Sequence, residues 1–333
     1  MEEKKITSIR KDELTVVIPV YNAEKYICRC LDSLEKQYNI ILKIIIVNDG
    51  STDSTLEILQ KYKELYNNIV IIDQKNQGTY MARLNGIRSV STEFVTFCDA
   101  DDYIDEDFYQ YPLKMQRLSG ADIVEFGCRR VKAGKIIREK IPKYDRLTGK
   151  QALISLFETR DIESYNCNKI YRTNLFEKNK LVDGIRMIVE EDRFLNVLIF
   201  ANINLIVGCR KIGYNYELVE GSSTSVSRKY NGLREIQAQK IIFEYVSENL
   251  SLYKRSAAYD YCARLALCYI KFYITGDINM SNKVMKVFRK QCKNNKVILY
   301  FPRHASIKRI CMLNVLYYTP GLLNFILKWV KKR

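Results

Sequence analysis

Three carboxylates, Asp99, Asp101 and Asp102, fall within four positions directly after the apolar run 93–97. Carboxylates that close repel one another and raise each other's pKa unless a cation sits among them. A hard divalent ion such as Mn²⁺ or Mg²⁺ meets that need, and it commonly shares its shell with substrate phosphates. An acidic triplet can also be a solvated turn whose Asp side chains cap the next helix. The segments around it decide between the two.

Such a cluster needs a rigid frame, and the first hundred residues carry the pattern of one. Apolar runs at 14–20, 43–47, 68–72 and 93–97 read as short buried strands. Between them, 23–37, 51–65 and 79–90 have helical spacing. Tyr26, Ile27, Cys30, Leu31 and Leu34 share one helix face, and Ser54 with Glu57 offers a capping box. Continuous apolar strands alternating with amphipathic helices predict an α/β, Rossmann-like fold, its mostly parallel sheet covered by helices on both faces. Ligands bind outside the carboxyl ends of such strands. Those ends carry Tyr21-Asn22, Asn48-Asp49, Asp73 and the 99–102 cluster.

After Asp105 the pattern loosens into a strand at 122–126, a polar hairpin at 131–143 and a helix at 148–159. Mixed segments follow at 168–176, 190–201 and 212–219. From Tyr230 onward the chain reads as helical, with long helices over 235–252 and 257–275.

A chain of 333 residues has room for about two domains, and 47% hydrophobic residues exclude wholesale disorder. The ten cysteines form no Cys-x-x-Cys pair and His304 is the single histidine, which excludes zinc-finger spacing. Several cysteines lie in apolar runs, as packed thiols do in a reducing cytoplasm. The charged opening 1–11 has no apolar stretch and predicts no secretory leader.

The net charge of +16 is unevenly spread, with 19 Lys and Arg against 5 Asp and Glu from Tyr230 to the end. After Asp277 no acidic residue occurs, and 13 basic residues lie in 278–333, interleaved with apolar residues and Trp329. A solvated helical face accounts for part of this excess. Nucleic acid would use the same charge, but no recognised nucleic-acid module is present, so none is expected as partner. An anionic membrane surface fits best: Asn324, Lys328, Lys331 and Lys332 form a narrow polar stripe over 321–333. The uncharged run 310–327 is interrupted by Asn314, Tyr317-Tyr318 and Thr319-Pro320-Gly321, which argues against a spanning helix. The expectation is a cytoplasmic protein held peripherally on the inner face of the cell membrane. The same helices could instead pack against a second copy, giving a homo-oligomer.

Val17-Ile18-Pro19-Val20-Tyr21-Asn22, then Val47-Asn48-Asp49-Gly50-Ser51-Thr52-Asp53, then Asp99-Ala100-Asp101-Asp102 together resemble a family 2 glycosyltransferase of the GT-A fold and bacterial surface-polysaccharide type. The resemblance covers about 14–227, tightly to Asp107, and its strength lies in the order of the motifs on consecutive strand ends. It implies a nucleotide-sugar site: Asp49 for uracil or another base, with Pro19, Tyr21 and Asn22 lining the same place. It puts Arg83 near the nucleotide phosphates, though the common Ala-Arg-Asn is here Ala82-Arg83-Leu84-Asn85, which leaves Asn85 open. An exposed helix arginine is the other reading of Arg83. Asp99-Ala100-Asp101 matches the DXD element, implying Asp101 on the Mn²⁺ or Mg²⁺ and Asp99 on the ribose or the metal. Asp102 is left unassigned.

A sugar hydroxyl is a poor nucleophile and needs a base. Glu190-Glu191-Asp192 resembles the family's Glu-Asp motif, which implies Asp192 as base of an inverting displacement, with Glu191 as fallback; a helix-start acidic cluster is the alternative. Asn166-Cys167-Asn168-Lys169-Ile170-Tyr171-Arg172 lacks the Trp usual in that family segment, and Lys169 and Arg172 read equally as surface charges.

These observations predict a GT-A domain over 1–228 and a basic α-helical C-terminal region over 229–333. Within the first, about 13–110 would bind nucleotide and 111–228 the acceptor. The function implied is metal-dependent transfer of a sugar from a nucleotide donor, UDP by resemblance, to a saccharide or polyprenyl-linked acceptor in surface polysaccharide synthesis. A sugar-phosphate nucleotidyltransferase is the alternative enzyme, but Tyr21-Asn22-Ala23-Glu24-Lys25 stands where its glycine-rich phosphate loop belongs. A non-catalytic basic binding protein on a degenerate transferase scaffold is the alternative outside enzymes.

Overall fold

A computed structural model of the chain describes residues 12–178, 190–219, 232–299, 302 and 306–321. The polar stripe read over 321–333 lies, but for Gly321, outside them. The described residues divide into two compact units: 1–146 with 165–186 and 203–219, and 147–164 with 187–202 and 220–333. Segments 147–164 and 187–202, read from sequence with the acceptor half, thus cluster with the C-terminal helices.

The first unit is built on one sheet. Its leading strands are β1 (Glu13–Val20), β2 (Ile41–Asn48), β3 (Ile69–Asp73) and β4 (Phe94–Phe97), in the order β3-β2-β1-β4 and all parallel. They match the four apolar runs, because a strand buried on both faces is apolar throughout rather than alternating. Their connecting helices are α1 (Ile27–Leu34), α2 (Thr55–Leu65) and α3 (Thr79–Arg88). Leu14, Val16, Ile18, Ile44, Ile46 and Phe94 are buried in the core with Ile27, Cys30, Leu31 and Leu34 from the predicted face of α1.

The sheet continues through β5 (Tyr103–Ile104), β6 (Ile123–Lys132), β7 (Lys135–Lys140), β8 (Arg146–Leu147), β9 (Lys169–Arg172) and β10 (Ile206–Glu217), with α4 (Gln110–Ser119) between β5 and β6. Beyond β4 the order is β9-β6-β10-β5. β9 runs antiparallel to both β4 and β6, and β10 runs parallel to β6. The mixed segment 168–176 resolves into β9 and the short helix α6 (Asn174–Lys178). Lys169 is fully buried rather than on the surface, donating from Nζ to the Tyr165 carbonyl at 2.7 Å and to Asn168 Oδ1 at 2.9 Å.

The second unit is helical: α5 (Gly149–Ile154) continued by a wider turn over Ser155–Thr159, α7 (Glu191–Phe200), α8 (Gly232–Asn249), α9 (Lys254–Thr275), α10 (Ile278–Asn294) and α11 (Ile307–Tyr318). Its core gathers Cys262, Leu265, Ala266 and Tyr269 of α9 with Val284, Phe288 and Cys292 of α10 and Leu313 and Leu316 of α11. All ten cysteines are free thiols, eight of them buried. Among the described residues no helix is long and apolar enough to cross a membrane.

Candidate active site

The turn after β1 and the turn after β2 are tied together at the carboxyl edge of the sheet. Asn22, in the left-handed region at φ 49°, accepts from the Thr52 N–H on Oδ1 at 2.8 Å, and its own N–H donates to Ser51 Oγ at 3.0 Å. The predicted capping box at Ser54 and Glu57 does not form. Instead the Ser54 N–H donates to Glu24 Oε2 at 3.0 Å and the Thr55 N–H to Asp53 Oδ1 at 3.1 Å. Pro19 is buried beside this edge, while Tyr21 is 52% exposed.

Asp49 is buried, and its carboxylate holds the loop that leads into α3. Oδ1 accepts from Gln74 Nε2 at 2.7 Å and from the Gln77 N–H at 2.8 Å; Oδ2 accepts from the Gly78 N–H at 2.8 Å. Gly50 at φ 73° makes this approach feasible, since a Cβ there would stand 2.9 Å from the Asn76 nitrogen. Asn85 donates to Gln74 Oε1 at 2.7 Å, so it supports the same loop. Three accepted bonds leave one of a carboxylate's roughly four acceptor sites open.

From that anchored start, α3 delivers Arg83 to Asp99. Arg83 is buried rather than exposed, and its Nη2 donates to Asp99 Oδ1 at 2.7 Å. The pair is the direct link between the helix after β3 and the turn after β4.

The 99–102 turn is held from below by β10. The Tyr214 hydroxyl accepts from the Asp99 N–H at 3.1 Å and donates to Asp102 Oδ2 at 2.6 Å. The Glu217 N–H donates to Asp102 Oδ1 at 2.9 Å. Asp102 is fully buried; burial, then Asp99 and Asp101, push its carboxyl well above the usual range. Asp102 is therefore the support of the turn. Burial and the Asp99 charge push Asp101 up to about 6, with Arg29 pulling the other way. Arg29 donates to the Asp101 carbonyl at 2.8 Å and to Glu217 Oε2 at 3.0 Å. Asp99 and Ala100 are half-buried.

Asp99, Asp102 and the Cys167 thiol offer ligand atoms within 4.8 Å of one another. Both Asp102 oxygens already accept hydrogen bonds, and a thiol is a soft ligand. Asp99 and Asp101, half-buried and mutually repelling, fit a hard divalent cation better. Tyr214, Glu217, Arg29 and Cys167 were missed from the sequence, since each lies 65 or more residues along the chain from the 99–102 turn.

Glu191 and Asp192 belong to the second unit, in the first turn of α7, and both are half-buried. Their neighbours are firmly held. Arg193 is buried and donates from Nη2 to Asp260 Oδ2 at 2.7 Å and to the Leu156 carbonyl at 2.8 Å. Asp260 also pairs with Arg264, Arg309 and Arg160. Burial would raise the Asp260 carboxyl, but these four guanidinium groups outweigh it and hold it far below the usual carboxylate range.

Residues 15–179 match the family described as Glycosyl transferase family 2. Glycosyltransferase GlyA of Streptococcus pneumoniae serotype 4 is 31% identical over 229 residues, covering 65% of this chain and 32% of GlyA. Putative glycosyltransferase EpsH of Bacillus subtilis is 29% identical over 253 residues, covering 74% of this chain and 68% of EpsH. The chain thus spans about a third of the one relative and two thirds of the other. The crystal structure of Staphylococcus aureus TarS 1-349 in complex with UDP-GlcNAc superposes with a TM-score of 0.67 at 20% identity, covering 92% of each chain. That likeness is one of fold, and it places the sheet and its helices in the GT-A type. With the motif order on the strand ends, the match makes residues 15–179 a glycosyl transferase family 2 region.

Proposed function

We propose that this chain transfers a sugar, by an inverting and metal-dependent displacement, from a nucleoside diphosphate donor to a saccharide or lipid-linked saccharide acceptor in surface polysaccharide synthesis. The observation that carries this reading is the pairing of buried Arg83 with half-buried Asp99, beside Asp101 at the carboxyl end of β4. It joins a fixed cation to a carboxylate pair that repels itself, where a diphosphate and a divalent ion would complete each other. Mn²⁺ or Mg²⁺ bound by Asp101 and Asp99 would neutralise charge on the departing diphosphate. Arg83 adds a fixed positive charge to the same end. The open acceptor site of Asp49 suits a donor N–H of the base, uracil being the candidate, with Tyr21 exposed at the end of the neighbouring strand β1 for the base to lie against. Asp192 takes the proton of the acceptor hydroxyl, with Glu191 as the alternative.

Relatives whose names refer to glycosyl transfer support the reaction class, and the UDP-GlcNAc bound by TarS supports a UDP-sugar as the first donor to try. A peripheral membrane role is supported by α10, whose Lys283, Lys286, Arg289, Lys290 and Lys293 are all exposed. A screen of nucleotide sugars with Mn²⁺, reading hydrolysis or transfer, tests the reading. Turnover of a UDP-sugar that EDTA abolishes is expected; no turnover of any nucleotide sugar would end it.

A further inference from the structure

The segment carrying Glu191 and Asp192 is gripped on both sides by one helix. Asp260 and Arg264 stand one turn apart on α9. Asp260 accepts from Arg193, the residue after Asp192, at 2.7 Å. Arg264 Nη1 donates to Glu190 Oε1, the residue before Glu191, at 2.7 Å. Glu190 has φ 63°, a left-handed conformation that a side-chain-bearing residue keeps only where its surroundings fix it. The Phe194 N–H then bonds the Glu190 carbonyl at 3.0 Å and opens α7. Asn196 Nδ2 donates back to the Asp192 carbonyl at 3.0 Å and across to the Ser164 carbonyl at 2.8 Å.

Stability alone does not account for this arrangement. Replacing a buried ion pair by apolar residues of similar volume is often neutral or stabilising, whereas ion pairs fix one geometry. Here the fixed geometry is that of 190–193.

We propose that Arg264 and Asp260 are positioning residues, which hold the backbone on either side of Asp192 and so aim the base at the acceptor hydroxyl. This rests on Asp192 being the base. A reacting group displaced by about 1 Å loses on the order of 100-fold in rate.

The test compares full-length Arg264→Gln, Arg264→Lys, Glu190→Gln and Asp192→Asn with the unaltered chain, using a turned-over nucleotide sugar and hydrogen exchange over 190–196. Arg264→Gln is expected to lower kcat by about 10- to 100-fold while the donor KM stays within about twofold. Amide exchange at Phe194 rises, and exchange in α10 does not change. Glu190→Gln cuts the same pair from the other side and gives the same pattern, which covers an Arg264→Gln chain that fails to fold. Arg264→Lys, which keeps the charge, recovers part of the turnover. An inactive Asp192→Asn beside wild-type turnover and exchange in Arg264→Gln would overturn the positioning role alone. A fall in kcat that merely tracks the folded fraction would overturn it too. An active Asp192→Asn enzyme overturns the base assignment and this proposal with it.

Discussion

Asp99, Asp101 and Asp102 share one turn, and their mutual repulsion is relieved in different ways. Asp99 has the Arg83 guanidinium, Asp102 has the Tyr214 hydroxyl and the Glu217 N–H, and Asp101 has the most to gain from a bound cation. Tyr214 is the hinge of this arrangement, since one hydroxyl serves both the Asp99 N–H and Asp102. Tyr214→Phe leaves both without that partner and should destabilise the chain by about 1–3 kcal/mol. Thermal melting reads the loss, and weaker metal-dependent UDP binding should accompany it. The acidic triplet was legible because strand-end carboxylates stand out against apolar runs. Arg83 was readable only as a choice between two roles, because burial of a helix arginine depends on a partner 16 residues away. Tyr214 and Glu217 were not legible at all, since their partner Asp102 lies more than a hundred residues back along the chain.

The element that makes the carboxyl edge of the sheet cohere is α3. Asp49 binds the N–H groups at its start, and Gly86 lets it settle closely on β1 and β2, where an added Cβ would clash with Val17 Cγ1 and meet Val47 Cγ2 at 3.1 Å. Gly86→Val should therefore push the helix off the sheet, costing about 1–3 kcal/mol in urea denaturation, and draw Arg83 away from Asp99. The first four strands were readable from sequence because doubly covered strands are unbroken apolar runs. β9 was readable only as a strand or helix candidate, since its antiparallel insertion between β4 and β6 depends on pairing partners far away in sequence. The capping box at Ser54 failed for a related reason: Glu24, 30 residues back, accepts from the Ser54 N–H that Glu57 would have taken.

At the scale of the whole molecule, the basic excess after Tyr230 is spent in two ways. Arg264 and Arg309 turn inward to Asp260, while the cations of α10 face outward. The inward set makes an acid-sensitive point. The Asp260 carboxyl lies below its ordinary 3.8, so its stabilisation is complete above about pH 4 and fades as pH falls toward the folded-state value. Asp260→Asn, which removes the carboxylate that four guanidinium groups share, should cost about 3–5 kcal/mol at neutral pH. In paired melting curves the gap between unaltered and Asp260→Asn chains should narrow below about pH 4. The charge imbalance was plain in the sequence; which cations turn inward was not, because the arginines that meet at Asp260 come from positions 160, 193, 264 and 309.

The role proposed for Asp101 and Asp99 is to hold a divalent ion against the diphosphate of a nucleotide sugar. Calorimetric titration of UDP into the full chain, with Mn²⁺, with EDTA, and with Mn²⁺ in Asp101→Ala, tests it most directly. Binding with Mn²⁺ is expected to weaken by at least about tenfold under EDTA and in Asp101→Ala alike. Equal UDP affinity under all three conditions would contradict it.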